Sequence, residues 1–409
     1  MDTLKNNSEY GLQGDLVLKL INYISAIACA FLTALSANQA QAADPYNIDV
    51  VLPLTGGAAF LGKGEQTALQ LLQKLENAKG GIHGRQINFI FHDDQTQPQI
   101  AVPMVNQIKA GHPVVILGSA ISSVCNAMAP LLNHRGPVNY CFSPSLYPES
   151  GSYVFSSSIS TKALAQGLLR YFGDKGWTRI GLLTSTDATG QDAYRNIQEL
   201  MKSGKFGKLS IVSEQQFNPK DMSASAQVQR IKGANPDVVI AWSTGGPIGT
   251  VFKAVKDAGL NVPIATTDGN MTYAQMKQYA EFLPKNLYIP SPEWPKSDLL
   301  KVSDDVAAAK KEFFDAFAHA NVKPDGPSTF AWDPALLVVD ALKKLPKNAT
   351  TEDLRKYLAN LQGFAGINGI YDFKKFPQRG LGPDNVVVTR WDSKADQWVV
   401  VSKAGGEAQ

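Results

Sequence analysis

The sequence predicts an α/β protein built as two doubly wound parallel-sheet lobes joined by a multi-crossover hinge. Three observations carry this. Short runs rich in Val, Ile and Leu, apolar almost throughout, alternate with amphipathic stretches, the pattern of parallel strands covered on both faces by helices. The alternation occurs twice in series along the chain. With 409 residues, 44% of them hydrophobic, the chain is long enough for two domain-sized cores.

The first stretch must be set aside before the fold is read. Leu20 to Ala37 is an apolar run too short and too rich in small residues for a membrane span. Lys19 precedes it, and Ala40-Gln41-Ala42 follows as a small-x-small cleavage site. Residues 1–42 are therefore expected to be a secretory signal peptide. Met1 to Leu18 is long and mixed in charge for an n-region, and a start at Val17 would give a more ordinary leader. No Cys stands at the cleavage site to take a lipid, and no second span follows. The expected location is the periplasm, as an exported soluble protein.

From Asn47 the elements follow in order. Strand 48–54 (IDVVLPL) leads to a helix from Gly64 to Ala78, then strand 87–94 (INFIFHDD) and a helix from Pro98 to Ala110. Strand 114–118 (VVILG), a helix from Val124 to Asn133 and strand 137–143 (PVNYCFS) complete the first series. The second series begins after Tyr153-Val154-Phe155. It comprises a helix from Lys162 to Lys175, strand 179–185, a helix from Gln191 to Lys202 and strand 209–217. A helix from Ser223 to Lys232, strand 236–244, a helix from Gly249 to Asp257 and strand 262–269 close it. The remainder holds a short strand at Leu287, helices 304–320, 329–343 and 351–361, and late strands 367–373 and 385–392. Elements left over after two complete lobes are expected to return and cap the first. The expected division is 44–161 with 291–373 for lobe one, and 162–290 with 374–403 for lobe two. Two rigid bodies on such a hinge close over a ligand.

Charge and motifs exclude several function classes. Charged residues make up 18% of the chain, the formal net charge is +3, and Lys and Arg are scattered, so no nucleic-acid partner is expected. There is no GxSxG elbow, Walker loop, HExxH or CxxC. Gly62-Lys63-Gly64 is followed by Glu65-Gln66-Thr67, which fails a dinucleotide fingerprint at its third glycine. The histidines show no metal-ligand spacing, and His92-Asp93-Asp94 reads as a strand-end cap for loop amides. No enzyme activity, catalytic residue, metal or cofactor is expected.

Two cysteines remain beyond the leader, Cys125 in the first turn of a helix and Cys141 at the end of the next strand. Such elements are neighbours in a parallel sheet, so a disulfide is feasible, with two buried free thiols as the alternative.

The hydroxyls are the main pointer to a site. In open α/β sheets ligands bind beyond the carboxyl ends of strands, where helices begin. Ser119, Ser122 and Ser123 follow strand VVILG, and Ser143 and Ser145 follow strand PVNYCF. A carboxylate there would meet helix N–H groups, hydroxyl donors and the positive helix end. Any one of these serines read alone is an ordinary N-cap. Two clusters on adjacent strands point to a ligand. The second lobe offers a matching rim at Thr189, Thr244 and Asp268, and Trp242 is either core or a flat pocket wall.

The runs LPLTGGAAFLGKG, NAKGGIHGRQINFIFHDDQTQP and ILGSAISS, followed by PVNYCFSPS, make the chain from Asn47 to about Ser402 resemble the type I periplasmic binding proteins. The likeness is to the branched-chain amino-acid (leucine/isoleucine/valine) branch serving ABC importers. The resemblance implies a carboxylate held by Ser122 and Ser145, an ammonium held by a carbonyl near Ser143 and by Asp268, and Leu61, beside Phe60, at the pocket-lining position of the first loop. The stacking tyrosines of lobe two fall on Thr189 and near Thr244, which widens the pocket. The usual disulfide positions fall on Thr96 and Ile121, so any bridge here is the different pair Cys125–Cys141. The runs TDATGQD, AWDPALLVVDAL and NGIYDF resemble a subgroup associated with aromatic acids such as benzoates, in which Phe60 and Trp242 would sandwich a ring. The expected function is capture of a small carboxylate, an aromatic acid or an amino acid, for an ABC permease and ATPase complex, by a monomer. The alternative is a periplasmic ligand-sensing subunit of a signalling system.

Overall fold

The computed structural model describes residues 44–157 and 159–409; the expected signal peptide lies outside the described residues. The first sheet has the order β2-β1-β3-β4-β5, with β1 at Tyr46–Leu52, β2 at Ile87–Asp93, β3 at Val115–Gly118, β4 at Val138–Cys141 and β5 at Val154–Ser156. All its pairings are parallel. Helices α1 (Ala59–Ala78), α2 (Pro98–Ala110) and α3 (Ser122–Leu132) connect the strands. Ile48, Val50 and Leu52 lie in one core cluster and Val51 in the other, so β1 is buried on both sides, as its unbroken apolar run requires.

The second sheet has seven strands in the order β14-β13-β10-β9-β8-β6-β7. Its parallel part is β6 (Arg179–Ser185), β7 (Ser210–Phe217), β8 (Val238–Trp242), β9 (Ile264–Ala265) and β10 (Leu287–Pro292). Helices α4 (Thr161–Lys175), α5 (Ala188–Lys202), α6 (Ser225–Gly233), α7 (Pro247–Asp257) and the short α8 (Tyr273–Gln278) accompany these strands. Strands β13 (Val386–Asp392) and β14 (Gln397–Val400) extend the sheet antiparallel, beyond β10.

The late part of the chain divides between the two sheets. Helices α9 (Asp304–His319), α10 (Gly326–Lys344) and α11 (Thr351–Asn360) return to the first lobe, α10 packing along α1. So does the hairpin of β11 (Gln362–Gly366) and β12 (Gly369–Asp372). It is tied down by the buried Asp333 of α10, which accepts from Ile367 N (3.0 Å), Asn368 N (3.1 Å) and Tyr371 Oη (2.9 Å). The strands β13 and β14 go to the second sheet because β10 leaves an edge with open backbone groups that a strand satisfies and a helix does not. The chain thus crosses between sheets after β5, after β10 and before β13. Gln378 holds the third crossing against the first sheet, donating to Ser152 O (2.9 Å) and Val154 O (3.1 Å).

Several helix starts lie earlier than expected, and glycine explains two of them. A Cβ on Gly62 would stand 2.4 Å from Pro53 O, and one on Gly190 would stand 2.0 Å from Ser185 O. These glycines let α1 and α5 begin hard against the strand before them, so α1 starts at Ala59 and α5 at Ala188. Phe60, Leu61 and Thr189 are consequently helical.

Cys125, in the first turn of α3, is bonded to Cys141 at the end of β4. Both cysteines are fully buried.

Candidate functional site

A small cavity of about 20 Å³ lies where the carboxyl ends of the two sheets face each other. Leu61 of α1, the segment Ala120–Ser122, the segment Phe142–Ser145 and Phe330 of α10 line it from the first lobe. Thr189 of α5, Thr244 beyond β8, and Thr267, Asp268 and Gly269 beyond β9 line it from the second. The lobes touch around it. Ser122 Oγ lies 3.1 Å from Thr189 Oγ1, Gly246 N donates to Gly57 O at 3.1 Å, and Tyr147 Oη donates to Asp192 Oδ2 at 3.1 Å. This is a closed arrangement.

The serines are not helix caps. Ile121 occupies the N-cap position of α3 with no side-chain cap, and Ser122 is the first helical residue. Its neighbours in the second lobe differ: α5 is capped by Asp187, whose Oδ1 accepts from Gly190 N at 3.0 Å. The start of α3 opens on the cavity without a side-chain cap, which leaves its first N–H groups and positive end for an anion; α1, whose first turn brings Leu61 to the cavity, also lacks a side-chain cap. Ser122 Oγ lies 3.0 Å from Ser143 Oγ, which also accepts from Ser145 N at 3.3 Å. The Ser143 carbonyl accepts from Ser156 Oγ at 2.7 Å, so one of its two lone-pair directions is occupied inside the lobe. Ser145 Oγ lies 3.1 Å from Thr161 Oγ1.

Asp268 faces these groups from the other lobe. It is 1% exposed, and its Oδ1 accepts from Thr267 Oγ1 (2.9 Å) and Gly269 N (3.0 Å). Its Oδ2 has no partner. Burial pushes the carboxyl up to about 7, against the lowering effect of those two donors. A ligand that brings a cation or a hydroxyl to Oδ2 would satisfy it.

Of the sequence-derived candidates, Leu61, Ser122, Ser143, Ser145, Thr189, Thr244 and Asp268 meet at this cavity. Phe60 and Trp242 do not line it, and the ring sandwich they were expected to form is not there. Adjacent helical positions point about 100° apart, so when Leu61 faces the cavity Phe60 turns aside. Trp242 is 1% exposed, in the core at the end of β8. The aromatic walls are Phe142 and Phe330. Phe142 directly precedes Ser143, so the strand-end argument that found the serine could have found it. Phe330 is some 200 residues from the serines, and nothing local to its helix marks it.

His92, Asp93 and Asp94 serve their loops. Asp93 Oδ1 accepts from Leu54 N (3.0 Å), Thr55 N (3.1 Å) and Gln95 N (2.9 Å), and His92 Nε2 lies 2.8 Å from Asp49 Oδ1. Asp94 accepts from Ser119 Oγ at 2.5 Å and so props the loop that leads into α3.

Two α/β lobes closing on a cleft of hydroxyls, the uncapped start of α3 and one unpaired carboxyl define a ligand-binding receptor of the two-lobed, hinged class. The chain belongs to the periplasmic binding protein family, whose profile matches residues 45–396. It is 22% identical over 330 residues to the Leu/Ile/Val-binding protein of Escherichia coli K12, covering 80% of this chain and 86% of that one. Among solved structures, it is similar to the branched-chain amino acid transporter substrate binding protein LivJ of Streptococcus pneumoniae in complex with isoleucine. There the TM-score is 0.72 at 20% identity, over 88% of this chain and 99% of that one. It is also similar to a fatty acid ABC transporter substrate-binding protein from Thermomonospora curvata, with TM-score 0.73 at 18% identity over 88% and 92% of the two chains.

Proposed function

We propose that this chain is the exported solute-binding component of an ABC importer, a monomer that captures a small apolar carboxylate between its lobes. In this reading residues 1–42 direct export and are removed. Lobe one is 44–161 with 291–373, and lobe two is 162–290 with 374–403. The ligand's carboxylate sits at the start of α3 with the Ser122 and Ser143 hydroxyls, where helix N–H groups and charge-assisted bonds favour an anion. Its apolar part lies among Leu61, Phe142 and Phe330, and closure brings Thr189, Thr244 and Asp268 onto its other side.

The observation that carries this reading is the unpaired Oδ2 of buried Asp268 in the same cavity as the uncapped start of α3. A bare carboxylate gains nothing from Asp268. A zwitterionic amino acid gains a charge-assisted bond at each end. An α-amino acid with an apolar side chain is therefore the favoured ligand, and the relatives named for Leu/Ile/Val and isoleucine support it. An aromatic acid is the second reading, favoured by the Phe142 and Phe330 walls and by threonine at Thr189 and Thr244. A thermal-shift screen of amino acids against benzoates and cinnamates decides between them, because a tight ligand raises the melting temperature by mass action. A screen in which neither class raises it would refute the proposal.

A further inference from the structure

Asn270 is fully buried in the short turn Asp268–Asn270 that follows β9. Its Oδ1 accepts from Gly245 N at 2.9 Å, and its Nδ2 donates to Ser243 O at 2.7 Å and to Thr266 Oγ1 at 2.9 Å. A backbone N–H only donates and a carbonyl only accepts, so these two neighbours fix which way the amide lies. Asn270 therefore grips the chain on both sides of Thr244, the residue this loop brings to the cavity. Gln275 adds a bond from Nε2 to Gly245 O at 3.0 Å. Thr244 also packs on the turn itself, since a Cβ on Gly269 would stand 2.8 Å from Thr244 Cγ2.

Both segments meet the first lobe through backbone. Gly246 N donates to Gly57 O at 3.1 Å, and Gly326 N, at the start of α10, donates to Met271 O at 2.9 Å. A Cβ on Gly245 would stand 2.6 Å from Gly57 O, and one on Gly326 would stand 3.0 Å from Asp268 O. Neither approach leaves room for a side chain. Asp268, Thr244 and the two bonds that join the lobes thus belong to one block of the second lobe, and Asn270 holds its halves together without lining the cavity.

We propose that Asn270 is a positioning residue that fixes Thr244 and Gly246 to the Asp268 turn, so that a ligand read by Asp268 and Thr244 draws both lobe-joining backbone bonds shut as one unit. The inference rests on the reading above, in which a ligand is captured between the lobes.

Two measurements test it. Amide hydrogen exchange on the ligand-free chain needs no ligand. In Asn270→Ala the Gly246 and Gly326 amides, neither of them bonded to Asn270, should exchange about tenfold faster, the scale of one hydrogen bond. The sheet amides of Val239 and Ile264, bonded to Pro263 O and Asn286 O, should keep their protection. Unchanged exchange at Gly246 overturns the proposal. So does an equal loss at the sheet amides, which would make Asn270 a support for the whole lobe. Calorimetry then uses L-leucine and benzoate as probes. Asn270→Ala and Thr244→Val should each weaken the probe that binds, and the double variant should fall short of the product of the two losses by about threefold or more, because both act through one contact. Losses that simply multiply overturn the proposal. Where Asn270→Ala does not fold, Asn270→Asp, which keeps the shape and the bond to Gly245 N but loses both donors, takes its place under the same criteria. If neither probe binds the wild-type chain, the capture reading fails for these ligands and the exchange rates alone decide the role of Asn270.

Discussion

Ser122 and Thr189 meet hydroxyl to hydroxyl at 3.1 Å across the cleft, one on the first turn of α3 and the other on the first turn of α5. The bond joins the two lobes through residues that also line the cavity, so lobe closure and ligand capture share a contact. Thr189→Val keeps the shape and removes the bond. The variant should spend less time closed, seen as a larger radius of gyration by solution scattering. Its affinity should drop by about 0.5–1.5 kcal/mol, the net value of one hydrogen bond. Wild-type scattering and affinity in this variant would show that the contact is incidental.

Asp268→Asn separates the ligand classes. An ammonium loses its charged partner, so binding of leucine should weaken by about 1.5–3 kcal/mol. Benzoate, with no cation to place there, should bind as well or better. Equal losses for both acids would mean that Asp268 shapes the pocket and does not read the ligand.

Several enclosed carboxyls tie stability to pH. Burial pushes Asp268 up to about 7 and Asp325 and Asp333 up to about 6. Glu65, fully buried with neither oxygen paired, is raised by burial and by Asp94 and Asp325. In each case the folded chain keeps a proton that the unfolded chain has lost. That contribution is complete below about pH 4, where unfolded Asp titrates, and is lost as pH rises through about 6 and then about 7. The melting temperature should accordingly fall between pH 5.5 and 7.5, and Asp268→Asn should flatten the upper part of that fall. Above that window Lys310, pushed down to about 8 by burial, acts in the opposite sense. A melting temperature that climbs from pH 5.5 to 7.5 would contradict these assignments.

The Cys125–Cys141 bridge closes a loop with a sequence separation of 16 residues. In the chain-entropy model such a loop stabilises by about 3 kcal/mol. Replacing both cysteines with alanine should lower the unfolding free energy measured in urea by that amount and steepen the slope, since the unfolded chain is freed to expand. Because α3 carries Ser122, ligand affinity should fall as well. Unchanged stability in the double variant would mean that packing around Cys125 and Cys141, and not the covalent link, holds α3 to β4.

The sequence alone determined the class of fold, because unbroken apolar runs such as Val115–Gly118 are stable only as strands covered on both faces. It also placed Ser122, Ser143, Ser145, Thr189, Thr244 and Asp268 at strand ends, where helix starts gather ligands whatever the rest of the chain does. Only the tertiary structure decided which aromatics wall the cavity, since Phe330 arrives on a helix that returns from the far end of the chain and Trp242 turns into the core. The sequence assigned 374–403 to the second lobe but did not show that β13 and β14 pair antiparallel beyond β10, because edge pairing depends on what the neighbouring strand leaves unsatisfied.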